Sequence, residues 1–333
     1  MVGAPSAALA EVQREAAHAA LHSAFGGQRT EAITRVTGGA SGAATFRAEI
    51  SGRRYLVRVE GHPSPLRNPH QYVSMRIATA AGIAPRIHHI DEGARVAVMD
   101  FIEERPLGDY PGGPTALARA LGETLARLHA TPSFPQFVEY PDIVGRLWAH
   151  VCRTGLFAPT VLDGITERLA LIHATYAWDS AASVSSHNDP VPRNILFDGE
   201  RLWLVDWESA YRNDPLVDVA IMLDNLAPTP ALESILLAAW LGRAPDASLH
   251  ARLSSIRALT RLYYAGVLLS ASAAAGRDVP DGDLAAPTLQ AFQRAVREGR
   301  LRPGAVETKH VLGKMYLAAF ATGGVPPGLN AAV

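Results

Sequence analysis

Ser186-His187-Asn188-Asp189-Pro190-Val191-Pro192-Arg193-Asn194-Ile195-Leu196-Phe197 is followed five residues on by Leu202-Trp203-Leu204-Val205-Asp206-Trp207-Glu208. Pro190 and Pro192 fix their own φ and push the residues before them out of the α region, so Asp189 and Asn194 share one short, stiff loop. An apolar run comes next, then a turn at Asp198-Gly199, then a second apolar run ending in Asp206. That pattern is a short hairpin with polar groups at its mouth. Closing the hairpin brings Asp189, Asn194 and Asp206 together. Two carboxylates and an amide oxygen make a hard, oxygen-rich site, of the kind that holds Mg²⁺ together with substrate phosphates. A hairpin whose polar ends merely cap it is the plainer account of the same residues.

The order H-x-D-x-x-x-x-N, then a strand, then Asp, is the arrangement of the catalytic loop and metal-binding Asp in kinase-type phosphotransferases. Here Asp206 is followed by Trp-Glu, where protein kinases have Phe-Gly. The wider stretch Val205-Asp206-Trp207-Glu208-Ser209-Ala210-Tyr211-Arg212-Asn213-Asp214-Pro215-Leu216-Val217-Asp218-Val219-Ala220 resembles the choline kinase and aminoglycoside phosphotransferase superfamily. Its bacterial choline/ethanolamine/thiamine kinase branch is the most similar. There an Asp-Trp-Glu or Asp-Phe-Glu step leads into Asn-Asp-Pro and then a further Asp. Landmarks of the resemblance run over about residues 32–225.

The resemblance implies an α+β, protein kinase-like two-lobe fold: a small antiparallel β-sheet N-lobe and a larger, mainly helical C-lobe. It divides the chain into an N-terminal helical segment (1–30), an N-lobe (31–102) and a C-lobe (103–333). ATP and Mg²⁺ would lie between the lobes. Asn194 and Asp206 would hold the metal. Asp189 would accept a hydrogen bond from the attacking alcohol, with His187 and Arg193 completing the catalytic group. His187 would prop the loop; Arg193 would neutralise phosphate or simply be solvated. Glu208 would contact metal-bound water or the acceptor, and Asp218 would brace the loop from below.

Composition sets bounds on this. The chain has 333 residues, is 48% hydrophobic and carries a net charge of −1. That is enough for one large core or two modest ones. No global field recruits nucleic acid or an anionic membrane. Cys152 is the only cysteine, so no internal disulfide forms, which suits a reducing cytoplasm. Glu11, Arg14 and Glu15 stand among the early alanines, without the basic start and apolar core of a signal peptide. No uncharged apolar run reaches the roughly 18–20 residues of a membrane span. The expected partner is a small-molecule alcohol, with neither nucleic acid nor membrane; oligomeric state is left open.

Along the chain, residues 6–25 read as a helix with Leu9, Val12, Ala16, Ala19 and Leu21 near one face. Strand patterns at 31–37 and 45–50 flank Gly38-Gly39-Ala40-Ser41-Gly42. A Walker loop would need a Lys and a following helix, and both are missing. A glycine-rich flap over nucleotide phosphates, with Gly39, Ser41 and Gly42 as contacts, or an ordinary hairpin turn, fits instead. In the strand Arg54-Tyr55-Leu56-Val57-Arg58-Val59, Tyr55, Val57 and Val59 share one face and Leu56 and Arg58 the other. Arg58 stands where kinases carry the phosphate-binding Lys, and Arg can grip phosphate bidentately. A solvated strand arginine is the alternative. Asn68 and Pro69 suit the cap and first position of a helix to about residue 81, closed by Gly82. The family's strand-orienting Glu on this helix corresponds to Gln71, an uncharged departure that would either bond Arg58 or close a capping box on Asn68. Strands follow at 86–90 and 95–101. On adjacent strand positions His88 and His89 point to opposite faces. Phe101 and Ile102 resemble the hinge whose backbone binds adenine.

From Thr115 the pattern is helical, with His129 read as structural. Helices are expected over 141–153, 160–177, 230–242, 247–275, 286–298 and 305–321. Asp214 reads as a helix cap before Pro215, with Asp218 in the first turn. Asp278, Asp281 and Asp283 read as a solvated loop, because the later Glu of an EF-hand is missing. For the acceptor, a choline-like ammonium would want aromatic faces and carboxylates. Tyr211, Trp240, Tyr263 and Tyr264 are the candidates, with Glu208, Tyr211 and Tyr263 favoured as substrate contacts. From 228 to 333 there are eleven Lys/Arg against seven Asp/Glu. That excess argues against polycationic aminoglycosides and leaves choline, ethanolamine, thiamine, a sugar or another small alcohol. Gln71 also leaves open a nucleotide-binding pseudokinase that regulates a partner.

Overall fold

A computed structural model describes residues 7–26, 28–36, 43–61, 68–276, 279–324 and 328. Helix α1 (Ala7–Phe25) precedes strands β1 (Thr30–Val36), β2 (Ala44–Ile50) and β3 (Arg53–Val59); α2 (Gln71–Ala80) then leads to β4 (Ile87–Asp91) and β5 (Val96–Asp100). These strands form one antiparallel sheet in the order β1-β2-β3-β5-β4. Its period-two alternation produces two different faces. Phe46, Val57 and Val98 pack under Ala17, Ala20 and Leu21 of α1 as a small core of their own. Ala97 and Met99 face the other way and join the main core with Tyr72 and Met75 of α2.

The rest is mostly helical: α3 (Gly113–His129), α4 (Tyr140–Arg153), α5 (Asp163–Thr175), α6 (Pro215–Leu226), α7 (Pro230–Leu241), α8 (Ala247–Ala273), α9 (Leu289–Arg297) and α10 (Val306–Thr322). Between α5 and α6 run four three-residue strands: β6 (Val184–Ser186), β7 (Ile195–Phe197), β8 (Leu202–Leu204) and β9 (Tyr211–Asn213). β7 and β8 are the expected hairpin, and β6 pairs with β9. The long α8 packs against α4, α6 and α10. Two glycines permit the closest approaches. A Cβ on Gly122 of α3 would lie 2.4 Å from the Leu236 carbonyl oxygen of α7, and one on Gly313 of α10 would lie 2.6 Å from Leu269 Cγ of α8. Among the described residues, no helix is long and apolar enough to cross a membrane.

The α+β class and the lobed arrangement match the expectation, and three local readings are corrected. Among the described side chains of α1, which begin at Glu11 and so leave out Leu9, Gln13, Ala17, Ala20 and Leu21 are buried, while Val12 and Ala19 are exposed. A helix this rich in alanine has too shallow a hydrophobic contrast to set its phase. α2 starts at Gln71, with His70 as its cap residue. Asn68 instead accepts the His70 N–H at 2.9 Å and donates Nδ2 to the Ala210 carbonyl at 2.7 Å, tying the sheet lobe to the helical lobe. Asp281 is not simply solvated: its Oδ2 accepts from His310 Nε2 at 2.7 Å and Lys314 Nζ at 3.0 Å.

Candidate active site

The loop from His187 to Asn194 is held from beneath by one buried carboxylate. Asp218, in the first turn of α6, accepts the His187 N–H on Oδ2 at 2.9 Å and the Asn188 N–H on Oδ1 at 2.6 Å. It is placed there because Asp214 caps α6, accepting the Leu216 N–H at 2.8 Å just before Pro215. His129 Nε2 lies 3.2 Å from Asp218 Oδ2, and His129 Nδ1 accepts from Trp240 Nε1 at 2.9 Å. His129 is structural as expected, and it draws Trp240 away from any acceptor role.

Asn188 has φ +63°, a left-handed conformation that Asn tolerates better than most residues. Its side chain is fully used: Nδ2 donates to the Ser209 and Tyr211 carbonyls at 2.9 and 3.2 Å, and Oδ1 accepts from Asn213 at 2.6 Å. His187 is buried, bonds the Val205 carbonyl through Nε2 at 2.9 Å and packs its ring 4.7 Å from that of Trp207. It props the hairpin against the loop and is not among the residues that line the cleft.

Asp189, Asn194 and Asp206 all line one cleft of about 620 Å³ between the sheet and the helices. Leu56 and Arg58 of β3 and Met99 of β5 form its roof, α2 contributes Gln71, and α8 and α10 contribute Tyr263, Tyr264 and Lys309. Asn194 Nδ2 donates to the Asp189 carbonyl at 2.9 Å and to Asp189 Oδ2 at 3.0 Å. Arg193 Nη2 approaches the same Oδ2 at 3.4 Å, and Tyr264 donates its hydroxyl to Oδ1 at 2.7 Å. Burial raises the Asp189 carboxyl above its ordinary range; Arg193 and the Tyr264 hydrogen bond offset this only in part. Tyr263 is pushed up to about 12 by burial and by the charges of Asp189 and Glu208, so it stays a hydrogen-bond donor.

Arg58 crosses the cleft. Its Nη2 lies 2.8 Å from Glu208 Oε2 and 3.0 Å from Asp206 Oδ1. Burial works against the guanidinium charge, yet Asp206, Glu208 and Glu60 outweigh it and hold the group above its usual range. Glu208 is thus a carboxylate that orients Arg58, reached from the helical lobe. Gln71 lines the same cleft, without the charge that would do this from α2.

The remaining expected contacts fall out as follows. Gly39, Ser41 and Gly42 lie outside the described residues. Phe101 and Ile102 are half-buried just past β5, where the Phe101 N–H still bonds the Arg54 carbonyl of β3, and they are not among the cleft's lining residues. Tyr211 is buried with its ring 5.6 Å from that of Phe137, because pairing with β6 turns it into the core. Tyr263 does line the cleft. From the sequence Tyr264 reads only as a candidate cation face, with no sign of its bond to Asp189, and Lys309 carries no signal at all. The one signal was the Tyr263-Tyr264 pair on a long helix.

For a hard cation the fit is good. The Asn194 amide commits its nitrogen to Asp189, leaving its oxygen without a hydrogen bond among the described residues, while Asp206 presents a partly exposed carboxylate in the same cleft. Among the described residues no three His, Cys, Asp or Glu side chains cluster as a cage. Two protein oxygens completed by phosphate and water is how Mg²⁺ is usually held.

Sheet, helical lobe and cleft together define a kinase-like phosphotransferase. The chain belongs to the phosphotransferase enzyme family known as APH, whose model matches residues 32–253. Its fold is similar to that of a choline/ethanolamine kinase family protein from Mesorhizobium loti, at TM-score 0.63 and 22% identity over 93% of this chain and 99% of that one. It is similar also to choline kinase LicA from Streptococcus pneumoniae, at TM-score 0.62 and 15% identity over 90% and 96% of the two chains. A spectinomycin phosphotransferase solved with ADP and spectinomycin aligns at TM-score 0.59 and 11% identity over 92% and 97%. Among curated proteins, Protein LicA of Haemophilus influenzae is 47% identical over 39 residues, a match covering 12% of this chain and 15% of that protein.

Proposed function

We propose that this protein is an ATP- and Mg²⁺-dependent small-molecule kinase. It moves the γ-phosphate onto a hydroxyl, with a choline-, ethanolamine- or thiamine-like alcohol favoured over an aminoglycoside or a sugar. The observation that carries this reading is the meeting of Asp189, Asn194, Asp206 and Arg58 at one cleft. Asp189 accepts the acceptor's proton as its oxygen bonds to the γ-phosphorus and the bond to the β-phosphate oxygen breaks, releasing ADP. Arg58, oriented by Glu208, holds phosphate oxygens. Asn194 and Asp206 would hold Mg²⁺, which when bound neutralises charge on the transferring phosphates. The protein's own contribution is alignment and electrostatics. Tyr263 and Tyr264 beside Asp189 offer aromatic faces that suit a cationic alcohol. We place the reaction in the cytoplasm, where ATP is available and the single Cys152 stays reduced.

A coupled ADP-release assay across a panel of alcohols tests this. At least one alcohol should support turnover, and Asp189→Ala should lower it by about 10²–10⁴-fold. An Asp189→Ala variant at the wild-type rate would contradict the reading. Gln71 favours a second reading, a nucleotide-binding pseudokinase; tight ATP binding without transfer to any alcohol would select it.

A further inference from the structure

We propose that Tyr264 is a positioning residue for phosphoryl transfer, whose phenol locks the Asp189 carboxylate so that one acceptor direction is left for the substrate hydroxyl. The inference rests on the reading that Asp189 takes the acceptor's proton. A carboxylate offers about four lone-pair directions. Among the described residues three are filled: Tyr264 on Oδ1 at 2.7 Å, and Asn194 Nδ2 and Arg193 Nη2 on Oδ2 at 3.0 and 3.4 Å. The direction that remains is the second one on Oδ1, so the hydroxyl must arrive beside the phenol. The terminal torsion of an aspartate is broad, and nothing intrinsic to Asp189 would hold its plane. Tyr264 can hold it because its own ring is fixed. It is buried, with Tyr263 at 5.6 Å and Tyr316 at 5.8 Å between ring centres. Asn194 and Arg193 belong to the same loop as Asp189, whereas Tyr264 comes from α8. It therefore references the base to α8, the wall of the cleft that also carries Tyr263.

The test is Tyr264→Phe, which keeps the ring and removes the hydroxyl. It is assayed beside wild type, Asp189→Asn and Tyr316→Phe, with the best acceptor among choline, ethanolamine, thiamine and glucose, and with water alone. Tyr264→Phe should lower kcat about tenfold to a hundredfold, with KM for ATP and for the alcohol within about twofold of wild type and Tm lowered by only a few degrees, the cost of one hydrogen bond. Tyr316→Phe, which removes a neighbouring hydroxyl that does not reach Asp189, should keep the wild-type kcat. If wild type is active, Asp189→Asn is inactive and Tyr264→Phe keeps the wild-type kcat, the positioning role is overturned while the phosphotransferase reading stands. A Tyr264→Phe loss shared equally between kcat and ATP affinity would mean general loosening of the cleft and would also overturn it. No transfer by wild type to any alcohol, together with no Asp189-dependent ATP hydrolysis, overturns the reading and the inference with it.

Discussion

At the scale of single residues, Arg58 shows how one substitution in a motif is absorbed elsewhere. The α2 position that would carry a charged partner holds Gln71, and the guanidinium is instead paired with Glu208 at 2.8 Å and Asp206 at 3.0 Å. Hydrogen bonds to charged groups contribute about 1.5–3 kcal/mol. Glu208→Gln should therefore raise KM for ATP about tenfold while changing kcat little, since each 1.4 kcal/mol is about a factor of ten. An unchanged KM for ATP would show that Arg58 does not depend on this carboxylate. Asp189, Asn194 and Asp206 could be found from the sequence because a proline-stiffened loop and a short hairpin set their spacing locally. The Arg58–Glu208 and Asp189–Tyr264 pairs could not. Their members lie 150 and 75 residues apart; the meeting of sheet and helical lobe brings the first pair together, and the packing of α8 against the loop within the helical lobe the second.

At the scale of elements, helices were the most readable features where capping chemistry marked their ends. Asp214 before Pro215 is the clearest, with its carboxylate on the Leu216 N–H. The alanine-rich α1 hid its buried face, and β9 was too short for alternation to say that Tyr211 points inward. The segment after α8 reads as polar loop, yet Asp281 pins it to α10. Burial works against the Asp281 carboxylate, but His310 and Lys314 overcome this and hold it below its ordinary value of 3.8. Because the folded pKa is depressed, the unfolded chain takes up the proton first as pH falls. The stabilisation is complete above the ordinary aspartate value and drains away as pH falls through the lower, folded one. At neutral pH Asp281→Asn should cost about 1–2 kcal/mol in urea unfolding, and the gap to wild type should close on acidification below 3.8. A gap that is constant with pH would contradict the ion pair.

At the scale of the whole molecule, the cleft lies where two differently built bodies meet. The sheet uses one face to pack α1 and spends the other on the roof of the cleft, with Leu56, Arg58 and Met99 pointing down. The helical lobe supplies a floor whose loop is braced by Asp218 and whose hairpin ends in Asp206. Neither body holds all four of Arg58, Asp189, Asn194 and Asp206. The central claim is that they act as one site, and transfer of a radiolabelled γ-phosphate from ATP to the alcohol panel, with and without Mg²⁺, tests it most directly. Wild type should label an alcohol in Mg²⁺ and stop when the metal is chelated, and Asp206→Ala should lose labelling even at saturating ATP. Labelling that survives both chelation and Asp206→Ala, or tight ATP binding in Mg²⁺ with no label leaving the nucleotide, would contradict the account.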